Sequence, residues 1–491
     1  MKKAIVIGAG YAGLSAASFL AKAGWDVTVL EKLSAPGGRA GNFKAEGFTF
    51  DMGPSWYWMP DVFERYFNCF GKKVSDYYQL TRLDPSYRVY WPEGNFTDLP
   101  SEYTALRKTF EATEPGAGAQ LDVFMKEAAY KYEVGMGRLV HKPARSLSEY
   151  FEWDVLKGIM KMDVFTSMKK HIHRFFKNPK LRQLLEFPVL FLGALPKDIP
   201  ALYSLMNYAD IQFGTWYPQK GMYEIVNGMY SLALELGVKF NFNANVNELV
   251  ISDGNIKAVK TLDGKTYEGT AVVGAADYAF IDQQLLPPQY RQYSAKYWES
   301  RVMAPSCLLY YVGVNKRLTN IKHHSLFFDT DFNVHGSEIY ESKTWPKEPL
   351  FYSCAPSVSD PTVAPPGCEN LFFLIPVSSG MTGDTETLRE AYFQKILQRF
   401  EEKTGNKLKD HIIFKRSYSV SDFKNDYNSF KGNAYGLANT LLQTAILKPR
   451  CKSSKINNLF YTGQLTVPGP GLPPSLISGE VIATLVQKVF K

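Results

Sequence analysis

Long hydrophobic runs are missing from this 491-residue chain: no stretch reaches 18 consecutive apolar residues, so nothing reads as a membrane-spanning helix. Cysteine is scarce. Cys69, Cys307, Cys354, Cys368 and Cys451 are scattered and odd in number, with no C-x-x-C pair, which indicates a reducing compartment and no zinc site. Histidine is equally sparse. His171 with His173 and His323 with His324 stand close together, but no carboxylate or cysteine accompanies them at ligand spacing, and no metal is expected. Strong net charge is lacking too. A formal +8 is modest for this length and argues against a dominant basic face and a nucleic-acid partner. Internal repeats and low-complexity tracts are absent.

What the chain has is bulk. At roughly 150 residues per domain it suits two to four domains, or two large ones with interleaved segments. Its 30 tyrosines and 33 phenylalanines suit both a large core and an apolar pocket. From Lys157 to Arg182 eight Lys or Arg residues meet only Asp163 and alternate with apolar side chains. Two readings fit that pattern: a basic helix lying on an anionic membrane surface, or a solvated helix face.

The first thirty residues carry the clearest chemistry. MKKAIVIGAGYAGLSAASFLAKAG imitates a secretory signal, but its apolar run Ala4 to Ile7 stops at glycines and a separate helical pattern follows. Strand, turn, helix and second strand follow in order, the turn being Gly8-Ala9-Gly10-Tyr11-Ala12-Gly13, or G-x-G-x-x-G. Gly8 makes the tight turn, Gly10 lets backbone N–H groups reach a pyrophosphate at the helix's positive end, and Gly13 permits close helix–strand packing. Glu31, at the tip of the second strand, accepts from ribose hydroxyls and repels a 2′-phosphate, which disfavours NADP. Gly37-Gly38-Arg39 then supplies a second glycine turn and a fixed cation, which NAD domains do not ordinarily need.

Beyond about residue 90 long aromatic, helix-prone segments take over. The texture of a dinucleotide domain returns with turns at Asp253-Gly254 and Asp263-Gly264 and a buried run Ala271 to Gly274. It returns again at Asn458 to Thr462, followed by TGQLTVPGPGLPPSLISGE and a helix expected from Ser475 to Val489. Alternating Pro and Gly specify a shaped wall there.

GAGYAG, Glu31, GGR, DMGPSWYWMP and the Pro-Gly segment, all in order along the whole chain, resemble the carotenoid desaturases of the bacterial phytoene desaturase type, flavoproteins of the amine-oxidase-like superfamily. The resemblance implies an α/β fold: a Rossmann-type FAD/NAD(P)-binding domain built from 1–90, 216–280 and 426–491, interleaved with an α+β substrate domain built from 91–215 and 281–425. It implies FAD, with Gly8, Ala9, Gly10, Ala12 and Gly13 at the pyrophosphate and Glu31 and Lys32 at the ribose. Gly38, Arg39, Gly53, Pro54 and Ser55 would flank the ribityl and isoalloxazine portions, Val246 the adenine, and Gly463, Gln464, Pro473, Leu476 and Ile477 the other side of the flavin. Many relatives carry an acid where Gln464 stands.

The implied reaction is desaturation of an acyclic C40 carotenoid by hydride transfer from an allylic carbon to flavin, at the cytoplasmic face of a membrane. DMGPSWYWMP leans towards phytoene. A 1-hydroxycarotenoid 3,4-desaturase or other later-step carotenoid desaturase, a carotenoid isomerase and a prenyl-lipid-binding escort protein are the alternatives. No catalytic acid or base is assigned, because a hydrocarbon needs no strong one.

Overall fold

Ala4 to Ile7 offers no polar residue, and such a run is stable as a strand only where both faces are covered. In the computed structural model, which describes residues 2–144, 163–190 and 192–491, it lies in the strand Lys3–Ile7, the middle of a five-stranded parallel sheet. The order is Leu459–Tyr461, Ala271–Gly274, Lys3–Ile7, Asp26–Leu30, Lys239–Asn241. The helix Tyr11–Lys22 packs beside this sheet and against the helix Leu472–Val489. Their contact is close because Gly479 faces Ser15: a methyl group at Gly479 would stand 2.5 Å from the Ser15 Cβ. Ser15 Oγ also donates to the Leu476 carbonyl at 2.7 Å, joining residues 461 apart in sequence.

A mixed seven-stranded sheet forms the second layer, in the order Ile412–Tyr418, Ser306–Val314, Glu369–Val377, Phe351–Cys354, His324–Phe327, Tyr87–Tyr90, Phe96–Leu99. Only the pair His324–Phe327 with Tyr87–Tyr90 is parallel. Both faces of its centre are covered. Leu308, Tyr310, Phe373 and Ile375 pack with Phe393, Ile396 and Phe400 of the helix Glu386–Thr404, whereas Cys307, Leu309, Leu374 and Pro376 line a cavity. That split follows from the two-residue period of a strand. The hairpin Tyr87–Leu99 belongs to this sheet and straddles residue 90, the expected end of the first nucleotide segment.

Residues 157–162 of the basic stretch lie outside the described residues. Its remainder forms the helix Met168–Phe175 and enters Pro179–Leu190. Met168, His171, Ile172 and Phe176 are buried, while Lys170, Arg174 and Lys177 are exposed. The apolar side of this stretch therefore packs inward, except for Phe165, which is 88% exposed. Among the described residues no helix is long and apolar enough to cross a membrane.

Candidate active site

A cavity of about 760 Å³ runs from the tips of the parallel strands to the floor of the mixed sheet. Gly8, Gly10 and Ala12 line its first end. Gly8 has φ +105°, and Gly10 caps the following helix in an extended conformation with no side-chain cap. The helix thus presents its positive end and first-turn N–H groups without a competing side chain. Gly13 sits behind: a methyl there would stand 2.0 Å from the Gly8 carbonyl oxygen. Ala9 also lies behind the lining and donates its N–H to Glu31 Oε2 at 2.6 Å, while Leu33 N–H donates to Oε1 at 2.8 Å. Burial raises the Glu31 pKa and these two N–H groups oppose it. Lys32 Nζ spans the groove to the Asn425 and Asp426 carbonyls at 2.5 and 3.3 Å. Val246, buried at the start of the strand Val246–Ser252, completes this end.

The second glycine turn is tied to the first by Gly37 N–H donating to the Ala9 carbonyl at 2.9 Å. Beyond it Gly38 and Arg39 line the cavity, together with Gly53, Pro54 and Ser55. Gly53 passes so near the chain at Arg39 that a Cβ would lie 2.5 Å from the Arg39 carbonyl oxygen. Arg39 Nη2 donates to Ser429 Oγ at 2.8 Å and to the Asn433 carbonyl at 3.4 Å, approaches Asp277 Oδ2 at 4.0 Å, and its guanidinium lies over the Tyr427 ring. Its Nε has no partner among the described residues. Burial raises the Asp277 pKa, with Arg39 opposing.

Gly463 and Gln464 form the facing wall, Gly463 N–H donating to Ser478 Oγ at 3.0 Å. Gln464 Nε2 donates to Asn433 Oδ1 at 3.2 Å, so this uncharged residue links the last turn, through Asn433, to Arg39. The final helix begins at Leu472 rather than at the expected Ser475. Pro473 and Pro474 fit its first turn because the N–H groups they lack would have no helical partner there. Pro473 lines the cavity. Leu476 and Ile477, 0% and 1% exposed, do not: they lie in the core behind it.

The other end is apolar. Trp56, Trp58, Phe187, Leu309, Phe328 and Leu350 line it. Tyr352 contributes a hydroxyl 3.0 Å from Ser55 Oγ and 2.6 Å from His324 Nδ1, and the His324 ring stacks on Trp56 at 4.1 Å.

The histidines find company that spacing alone does not reveal. His324 pairs across strands with Cys354, and ligand atoms of His323, His324 and Cys354 lie within 4.8 Å of one another. Likewise His171 meets Glu127 and Asp163, but there the buried Lys131 Nζ pairs with Asp163 at 3.1 Å and supplies the cation itself. Asp277, Tyr427, Asn433 and Tyr352 carry no motif of their own; the only local signal is Asp277's place just past a buried strand.

The family described as "Flavin containing amine oxidoreductase" matches residues 11–484. The chain belongs to it. Within this family it groups with the carotenoid desaturases. It is 40% identical to a carotenoid 3,4-desaturase of Haloarcula japonica, over 97% of this chain and 96% of that protein. It is 32% identical to a zeta-carotene-forming phytoene desaturase of Myxococcus xanthus, over 98% and 93%. Among solved structures an oxidoreductase from Methanosarcina mazei superposes with a TM-score of 0.65 at 15% identity, covering 98% of this chain and all of that one. This flavin-dependent oxidoreductase therefore has the α/β fold expected of it, a parallel Rossmann-like sheet joined to a mixed one.

Proposed function

We propose that this carotenoid desaturase uses FAD to introduce a 3,4 double bond into an acyclic carotenoid bearing a 1-hydroxyl group. The observation that carries the desaturase reading is one cavity with two characters: a glycine-lined polar end at a helix N-terminus, opening directly into an aromatic, apolar end. The helix end and the Glu31 carboxylate suit a pyrophosphate and a ribose. Arg39, whose Nε has no partner among the described residues, suits the flavin portion, and Gly463 with Gln464 would close it from the other side. When bound, FAD supplies the two-electron acceptor for the oxidation. The chain's own contribution is positional: the Trp56, Phe187 and Leu309 side chains hold an apolar polyene and exclude water, and Gly53 and Gly463 let backbone approach the cofactor.

The choice of 3,4-desaturation over phytoene rests on the higher identity to the Haloarcula japonica relative, which outweighs the leaning of DMGPSWYWMP. Expression in two hosts tests it, one accumulating phytoene and one accumulating a 1-hydroxylated acyclic carotenoid. A red-shifted pigment is expected in the second host, and conversion in the phytoene host alone would refute the assignment.

We further propose that a membrane surface delivers the substrate. Val164, Ala445 and Ile446 line the cavity, and beside them Phe165, Leu442 and Leu447 are 88%, 76% and 47% exposed. The two segments are joined through 200–203: Ala201 N–H donates to the Thr166 carbonyl at 2.7 Å, and Tyr203 Oη lies 3.1 Å from Thr444 Oγ1. The exposed Lys170 and Arg174 add positive charge in the same region.

A further inference from the structure

Three side chains on the cavity wall keep a buried polar atom without a hydrogen-bond partner among the described residues: Tyr11 Oη, Arg39 Nε and His335 Nε2. Tyr11 and Arg39 belong to the glycine-turn end. His335 belongs to the apolar end, on the helix Phe332–Ser337, where Phe328, Phe332, Ile339 and Leu350 also line the wall. It is 3% exposed.

The orientation of its proton follows from its other nitrogen. Leu350 N–H donates to His335 Nδ1 at 2.9 Å, so Nδ1 presents a lone pair. Burial, with Arg399 nearby, pushes the imidazole pKa down to about 4, and a neutral ring whose Nδ1 accepts must carry its hydrogen on Nε2. Among the described residues the wall of this largely apolar chamber thus contains a buried imidazole N–H donor with no acceptor. Three neighbouring polar atoms on that wall are engaged: Tyr340 Oη donates to the Leu190 carbonyl, Tyr352 Oη bonds Ser55 Oγ, and Asn439 Oδ1 accepts from Lys448.

A hydrocarbon polyene cannot satisfy such a donor, and a buried donor left unmatched disfavours whatever ligand leaves it so. We infer that His335 determines specificity, its Nε2–H donating to a hydroxyl oxygen on the polyene, so that the cavity selects hydroxylated over purely hydrocarbon carotenoids. This rests on the carotenoid desaturase reading above and adds the group that reads the hydroxyl. A site built to bond a substrate hydroxyl rejects the analogue lacking it because its own polar group is then unpaired.

The test uses the FAD-loaded full-length protein and two acyclic polyenes of equal length, one 1-hydroxylated and one not. Equilibrium binding, read by quenching of protein emission, and kcat/KM are measured for both. Wild type should favour the hydroxylated polyene about tenfold, the scale of one hydrogen bond. In His335→Phe the ratio should fall to about one, mainly through KM. His335→Gln, which retains an N–H donor, should recover part of the preference. Equal binding of the two polyenes by wild type, or a full preference surviving in His335→Phe, overturns the inference. Should the variants not fold, the His335 imidazole resonances of wild-type protein read the bond directly: a shift of the Nε2–H signal with the hydroxylated polyene alone supports the inference, and an equal response to both polyenes overturns it. A preference for the hydroxylated polyene that is lost in His335→Phe, with neither polyene desaturated, would support His335's role while refuting the proposed reaction.

Discussion

Replacing Gly10 by Ala and, separately, Gly13 by Ala should divide cofactor binding from folding, although the two glycines stand three residues apart in one motif. Gly10 has φ −73° and ψ 179°, a conformation open to any residue. A methyl there meets nothing nearer than the Gly37 carbonyl oxygen at 4.0 Å and projects from a residue that lines the cavity. Apo-protein stability should therefore be unchanged or raised by about 0.5 kcal/mol, since Ala restricts the unfolded chain. A pyrophosphate on the first-turn N–H groups would instead be held off by the methyl. Losing one or two charge-assisted hydrogen bonds at about 1.5 kcal/mol each weakens FAD binding about 10- to 100-fold.

Gly13→Ala inverts this. Its methyl would stand 2.0 Å from the Gly8 carbonyl oxygen, well inside van der Waals contact, so helix and strand must separate. Overpacking of that kind costs about 1–3 kcal/mol even without cofactor. The assay is apo-protein thermal melting followed by titration with FAD, read by quenching of flavin fluorescence. Unaltered FAD affinity in Gly10→Ala, or equal loss of apo stability in both variants, would refute the placement of the pyrophosphate.

Two further outcomes are expected. Arg65 grips Glu480 through two hydrogen bonds of 2.6 and 2.7 Å, tying the helix Pro60–Asn68 to the final helix. Burial alone would raise Glu480, but Arg65 and His141 hold its pKa down from an ordinary 4.5 to about 2. The carboxylate contribution is therefore present above pH 4.5 and is lost as pH falls towards 2, so the melting difference between wild type and Glu480→Gln should shrink over that window. Solvent screening keeps it near ~1 kcal/mol; a difference that grows on acidification would contradict this account. Phe165→Asp with Leu442→Asp should reduce cosedimentation with vesicles of mixed anionic and neutral phospholipid several-fold, and unchanged cosedimentation would remove these residues from the membrane contact.

Local chemistry was readable in the sequence and long-range chemistry was not. The glycine turn announces itself because each glycine answers a backbone need within thirteen residues, and Glu31 because one strand sets its distance from the turn. Gln464 is opaque in sequence, since its meaning lies in Asn433 and Arg39, which no spacing links to it. His324 and Cys354 are joined only by strand register. His335 is equally silent: its tautomer depends on the Leu350 amide, fifteen residues away. The final helix starts earlier than expected because the prolines, read as part of a shaped wall, are also tolerated in a helix's first turn.

Closure of the glycine turn by Gly463 and the helix carrying Gly479 also sets a timetable for synthesis. Gly13 and Gly463 are 450 residues apart, and at about 5–20 residues per second a ribosome needs roughly 20 to 90 s to travel between them. Throughout that interval the nascent chain lacks the Gly463 wall of the proposed nucleotide groove. On the proposed FAD placement the cofactor site is complete only when translation is nearly over, and until then the Tyr11–Lys22 helix lacks the final helix it packs against.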